Sequence, residues 1–139
     1  MSDVAITAGP FSLTARFESA AAPRTCEAFR KLLPLSARLL HVRWSGEAVW
    51  APLGDLATGV APENATSYPL PGQLLFYPGG VSETEILIPY GYTNFASKAG
   101  QLAGNHFLTI VTGAEHLREL GRLTLWEGAQ AIKIEEVRA

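Results

Sequence analysis

Residues 20–34 read AAAPRTCEAFRKLLP, and this stretch decides the fold. Pro23 suits the first helical position, where an amide hydrogen would find no helical partner in any case. Ala22, Cys26, Phe29 and Leu33 recur at spacings of four, three and four. They line one side of a helix about three turns long, and Pro34 stops it. A helix with such a stripe needs a core to cover it, and the flanking residues supply strands. Upstream, Phe11, Leu13, Ala15 and Phe17 alternate with Ser12, Thr14 and Arg16, the period of a strand with one buried face. Downstream, residues 39–51 predict a hairpin turning at Ser45-Gly46. A two-residue turn there opposes Trp44 to Glu47, Arg43 to Ala48, Val42 to Val49 and His41 to Trp50. One face then carries Leu40, Val42, Trp44 and Val49, and the other carries His41, Arg43 and Trp50.

Farther out, residues 54–72 are rich in Pro, Gly, Asn and Ser and predict a long surface loop. Such loops are more often functional than decorative in a compact domain. Short strands are expected over 73–77 and 83–88, the second with Thr84, Ile86 and Ile88 on one side. The segment PYGYTNF (89–95) predicts an aromatic loop in which Gly91 relaxes the backbone between Tyr90 and Tyr92. A strand over 107–111, a helical turn over 115–120 ended by Gly121, and a strand over 122–126 follow. The last strand, 130–137, alternates Ile132 and Ile134 with Lys133 and Glu135. No linker, low-complexity tract or repeat interrupts 1–139, which reads as a single domain. Many short strands with two short helices predict a mainly β protein, a barrel or sandwich with helical plugs.

Hydrophobic residues make up 47% of the 139 and charged ones only 17%, against a usual charged share of about 25%. Disorder is excluded, and apolar surface is expected to be covered by a partner or by further copies of the chain, as a homodimer or higher homo-oligomer. A homodimer is the default, because closed two-fold pairs are commonest. The net charge of −2 comes with no basic cluster, which argues against nucleic acid. No apolar run approaches the roughly 18 residues of a membrane span, and no secretory signal pattern is present. The single cysteine, Cys26, has no internal disulfide partner. A cytoplasmic protein is therefore expected.

The segment PRTCEAFRKL resembles the first helix of cyclophilins, Pro-x-Thr-x-x-x-Phe-x-x-Leu after the first strand. GNHFLTIV, AEHL and GRLTLWEGAQAIKIEEV, in that order, resemble the cyclophilin ending. The middle, LPGQLLFYPGG through IPYGY, is similar to small bacterial cyclophilin-like proteins whose function is not established. The resemblance covers about two-thirds of the chain. It implies a closed antiparallel barrel of eight strands, capped by a helix near each end. It implies prolyl isomerisation only where the catalytic residues are present. Aligning the hairpin turn on Ser45-Gly46 puts Leu40, His41 and Val42 at the family's Phe-His-Arg, so that Arg43 falls one residue late. On a regular strand that offset turns it to the other face. Trp50-Ala51-Pro52-Leu53-Gly54-Asp55 stands in place of Gln-Gly-Gly-Asp. Phe107 matches the family's groove phenylalanine, Leu108 replaces the second aromatic, and His116 is compatible.

Candidate ligand-binding residues are His41, Arg43 and Trp50 from the hairpin, Tyr90, Tyr92 and Asn94 from the aromatic segment, and His106, Phe107 and His116 farther on. Arginine offers a planar fork for a carboxylate, and the aromatic rings can cover an apolar body beside it. The bland alternatives are an ion-paired barrel exterior for Arg43, a packed corner for the tyrosines and a rim position for His106. His41, His106, His116, Glu83 and Glu85 lack the paired spacing of a zinc motif, so no metal is expected. No cofactor fingerprint occurs either. Cys26, on the apolar stripe, reads as a small buried hydrophobe. The expectation is a barrel that binds a small carboxylate- or amide-bearing molecule in a surface groove without isomerase activity. The alternative is a divergent prolyl isomerase or a small-metabolite enzyme using the same groove. Arg43, Tyr90, Tyr92, His106 and Phe107 are expected to converge there.

Overall fold

A computed structural model describes residues 2–137. Its elements in chain order are β1 (Val4–Ala8), β2 (Phe11–Phe17), α1 (Pro23–Arg30), β3 (Leu35–His41), β4 (Gly46–Gly54), β5 (Ala65–Thr66), β6 (Gln73–Tyr77), β7 (Thr84–Thr93), β8 (Ala96–Ser97), β9 (Gly100–Gln101), β10 (Gly104–Thr112), α2 (Leu117–Glu127) and β11 (Gln130–Glu136). One 3-10 turn, Ala114–His116, leads into α2. Eight strands run antiparallel in the order β2-β1-β11-β3-β4-β7-β6-β10, and β10 pairs back with β2 to close a barrel. Closure leaves these eight without a free edge. The expected eight-stranded barrel with two helices is the observed fold.

The period-two pattern explains the wall, because one parity of each strand points inward. Ile6, Leu13, Val49, Phe76, Ile86 and Phe107 belong to one interior cluster. The stripe of α1 closes one end, with Cys26 and Phe29 buried and Leu33 packed against the same core. The helix stops at Arg30, short of three turns, so Leu33 packs from the segment that follows. Burial pushes the Cys26 thiol up to about 11, which makes it an inert apolar filler.

The other parity of β4, β6 and β7 does not face water. Ala48, Leu75, Tyr77 and Leu87 form a second, external cluster under Phe95 and Leu102. The chain over 94–103, including the small β8–β9 hairpin, covers this outer wall. Two hydrogen bonds of the Ser45 hydroxyl pin it down: it donates to the Ala96 carbonyl at 3.1 Å and accepts from the Ala96 amide at 3.0 Å. A barrel wall apolar on both faces marks a place where a second layer is built on the outside.

Four expectations are corrected. Residues 122–126 are the second half of α2, not a strand. Leu117, Leu120, Gly121 and Thr124 are its buried face, at helical spacing. Gly121 does not end the helix: the Tyr90 ring packs so closely that a Cβ there would collide with it. The segment 89–95 is mostly strand and not a loop, since β7 continues through Thr93 and only Asn94 and Phe95 lie beyond it. Gly91 serves close packing there, and the Glu47 carboxylate fills the space beside it and accepts from the Tyr92 amide at 2.9 Å. The hairpin register is shifted by one, pairing Leu40 with Trp50 and His41 with Val49. His41 therefore takes the inward parity of Val49, while Trp50 faces outward with Leu40. Finally, β1 was not anticipated, although Val4, Ile6 and Ala8 alternate with Ala5 and Thr7.

Candidate functional site

The outer layer does not seal the wall completely. Between the hairpin end, the 96–99 segment, Ser82 and α2 lies an open cavity of about 760 Å³. His41, Arg43, Trp44 and Trp50 line it, with Thr124 and Leu125 from α2 on one flank. Despite the shifted register, the three hairpin candidates reach one cavity because β3 ends at His41 and the chain turns outward through Val42–Ser45.

Each of the three is placed differently. The His41 ring donates through Nδ1–H to the Val42 carbonyl at 2.8 Å. In the neutral ring Nε2 then accepts from the Tyr90 hydroxyl at 2.7 Å. The Tyr90 ring in turn carries the Arg118 guanidinium 5.4 Å from its centroid. Burial raises the Tyr90 hydroxyl above its ordinary range, reinforced by the charge of Glu47. Tyr90 thus supports the cavity wall through His41. Trp50 is half-buried, its ring resting on the external cluster. Arg43 is exposed and, like Arg24 and Arg38, forms no ion pair among the described residues, but of these three only Arg43 lines the cavity.

The remaining candidates do not join them. Phe107 lies in the barrel interior with its ring 4.8 Å from that of Phe29. The Arg43 and Phe107 side chains belong to opposite faces of the wall, and the expected shared groove does not form. Alternation along β10 is the reason, since Phe107 is inward and His106 is not. His106 Nε2 bonds the Thr109 hydroxyl at 2.8 Å, and that hydroxyl donates to Glu18. Since the hydroxyl has one hydrogen, His106 is the donor. Burial lowers the His106 pKa. His116 stacks on Phe11 at 4.9 Å, outside the cavity. Asn94 accepts from the Gln101 amide at 2.9 Å, in the covering layer. Tyr92 is exposed beside a second groove of about 380 Å³ near Tyr68 and Arg118. There the Arg118 charge is already met by Glu47 at 3.5 Å.

One cavity residue was missed as a site residue. Glu85 lines the cavity, is only 5% exposed, and has its pKa raised to about 8 by burial and by the charge of Glu83. It had been weighed only as a metal ligand. Among the described residues no group of three or more His, Cys, Asp or Glu is close enough to hold a metal ion. The long loop 54–72 is tied down by a structural network. Glu63 accepts from the Thr25 amide and hydroxyl at 2.6 and 2.8 Å, and Asn105 bridges Thr25 and Ala61.

Fold and site together define a closed antiparallel barrel with an external, half-covered cavity that is part aromatic and part charged. The chain belongs to the DUF3830 family, described as proteins of unknown function, whose profile matches residues 4–136. No curated protein matches it. Fourteen chains of solved structures do. McbB, in a structure with tryptophan, superposes with a TM-score of 0.74 at 18% identity, over 95% of this chain and 44% of McbB. This chain therefore spans less than half of McbB's length. The hypothetical protein AF2241 from Archaeoglobus fulgidus superposes with a TM-score of 0.65 at 15% identity, over 98% of this chain and 95% of that one. At these identities the likenesses show the fold alone. Among the described residues no helix is long and apolar enough to cross a membrane.

Proposed function

We propose that this cyclophilin-like barrel binds a small molecule bearing a carboxylate, in the external cavity and without prolyl isomerase activity. The observation that carries this is Arg43, an arginine without an ion-pair partner among the described residues, set beside Trp44 and Trp50 in a cavity of about 760 Å³. Pockets of roughly 300–1,000 Å³ with aromatic walls and few polar groups suit small ligands. A carboxylate at Arg43 gains charge-assisted hydrogen bonds of about 1.5–3 kcal/mol. McbB has been seen with tryptophan, a carboxylate with an aromatic body, which makes aromatic acids the first class to try here. Isomerase action in the cyclophilin manner needs an arginine beside the groove phenylalanine, and Arg43 and Phe107 are separated by the wall.

Calorimetric titration with indole-3-propionate and 4-ethylbenzoate tests the reading. Binding of at least one is expected, weakened about tenfold or more in Arg43→Ala, with little change in melting. Equal affinity in the variant, or no binding of either acid at millimolar concentration, contradicts it. In a protease-coupled assay on a proline peptide the isomerisation rate should stay at background.

Self-association belongs to the same proposal. Leu125 and Trp126 are 58% and 75% exposed on α2, and tryptophan is enriched where subunits meet. Sedimentation velocity at micromolar concentration should show a dimer that Trp126→Glu dissociates. A monomer in the unaltered protein rules this part out.

A further inference from the structure

The cavity has two chemically different ends, and their separation follows from strand register. At the hairpin end stands Arg43, beside Ser45, which pins the covering segment through Ala96. At the other end stands Glu85, opposite Pro52 of β4 and Tyr77 of β6. Val42 lies opposite Ala48, to whose carbonyl its amide donates at 3.2 Å. Ala48 and Pro52 are four residues apart on β4, about 13 Å of strand at roughly 3.3 Å per residue. Trp50 lies midway, facing outward over Leu87. Among the described residues no cation pairs with the acid at the far end.

Glu85 is the unusual member. Its side chain is almost wholly buried, yet among the described residues it has neither a hydrogen-bond partner nor a cation beside it. The like charge of Glu83 acts on it, and that residue's own carboxylate accepts from the Gly54 amide at 3.3 Å. Tyr77, across the pair, uses its hydroxyl to accept from the Val81 and Ser82 amides. A carboxyl with so little access to water is costly to ionise, and a cation brought to it through the cavity recovers that cost. Its remaining accessible surface opens on the cavity.

We propose that the cavity takes a bipolar ligand, with its carboxylate at Arg43, its apolar body against Trp50 and a basic nitrogen at Glu85. This rests on the reading of the cavity as a carboxylate site and adds the second pole. The spacing selects molecules whose amine and acid are well separated, such as ω-amino acids and aminoalkyl benzoates, over α-amino acids.

Matched pairs test it by calorimetry: 4-aminobutanoate and butanoate, 6-aminohexanoate and hexanoate, 8-aminooctanoate and octanoate, 4-(2-aminoethyl)benzoate and 4-ethylbenzoate. At least one amino member should bind about tenfold or more tighter than its partner. Glu85→Gln should remove that gain, so that each amino member binds no tighter than its plain partner. If plain acids bind and no amine improves any pair, or if the gain survives in Glu85→Gln, the second pole does not exist although the carboxylate site stands. If neither kind binds at millimolar concentration, the carboxylate site falls and this inference with it.

Discussion

Replacing Phe29 with alanine is expected to lower folding stability by about 3–5 kcal/mol. The ring is 1% exposed and is the point where helix and barrel meet. It packs against Phe17, Phe76 and Phe107, with centroid separations of 6.4, 6.3 and 4.8 Å and edge-to-face geometry in each case. Those three partners come from three different strands, so the cavity left by truncation cannot be closed by moving one element. Part of the loss is transfer of the ring to water, and part is the contacts that three rings lose together. Denaturant melts with an unchanged slope would read it directly. A loss below about 1 kcal/mol would mean that α1 is a peripheral attachment and not the plug of the barrel.

Stability should also fall as pH rises from about 4.5 to about 8, and Glu85 is the cause. The folded protein holds the Glu85 proton up to about pH 8, whereas an ordinary glutamate gives it up at 4.5. Between those values the native state binds the extra proton, so each pH unit costs up to about 1.4 kcal/mol. The accumulated penalty, on the order of 5 kcal/mol, is absent below pH 4.5 and complete above pH 8. His106 acts in the opposite sense: its lowered pKa costs stability at acid pH and releases that cost as pH rises toward 6.5. Comparing the protein with Glu85→Gln cancels this and every other shared group. The variant should gain several kcal/mol relative to the parent at pH 8.5 and almost nothing at pH 4.5. Parallel stability curves for the two would show that Glu85 is ionised at no cost.

The barrel was legible in the sequence because its strongest signals are local. Ala22-Pro23 followed by Cys26 and Phe29 can only be a helix start with a buried stripe, and β2 and β11 alternate cleanly between apolar and polar residues. The misreadings came where local pattern is ambiguous. Arg122, Thr124 and Trp126 alternate with Leu123 and Leu125 as a strand would, while the helical spacing is carried by Leu117, Leu120 and Thr124. Gly121 has the look of a helix end, and only the Tyr90 ring, thirty-one positions away in the chain, explains its presence inside α2. Likewise, the hairpin register depends on β4 pairing with β7, which no feature of 39–51 reveals.

The site was half legible for the same reason. His41, Arg43 and Trp50 stood out as a charged and aromatic group beside a turn, and they do share a cavity. Glu85 was hidden by ordinary alternation: with Thr84, Ile86 and Ile88 turned inward, it reads as a solvated outer residue. The outer layer that Phe95 and Leu102 build on that face of the wall is what a strand pattern does not announce. The available signal was Leu87 and Tyr77, apolar residues on a face that would otherwise be wet. Tertiary layers, not strand patterns, created the candidate site.

A crystal structure of the protein with the tightest-binding acid of the aromatic panel tests the central claim most directly. The account predicts the carboxylate within hydrogen-bond distance of the Arg43 guanidinium and the ring against Trp50, on the outside of the barrel wall. An acid found between Tyr92 and Arg118, or inside the barrel beside Phe107, with Arg43 untouched, would contradict it.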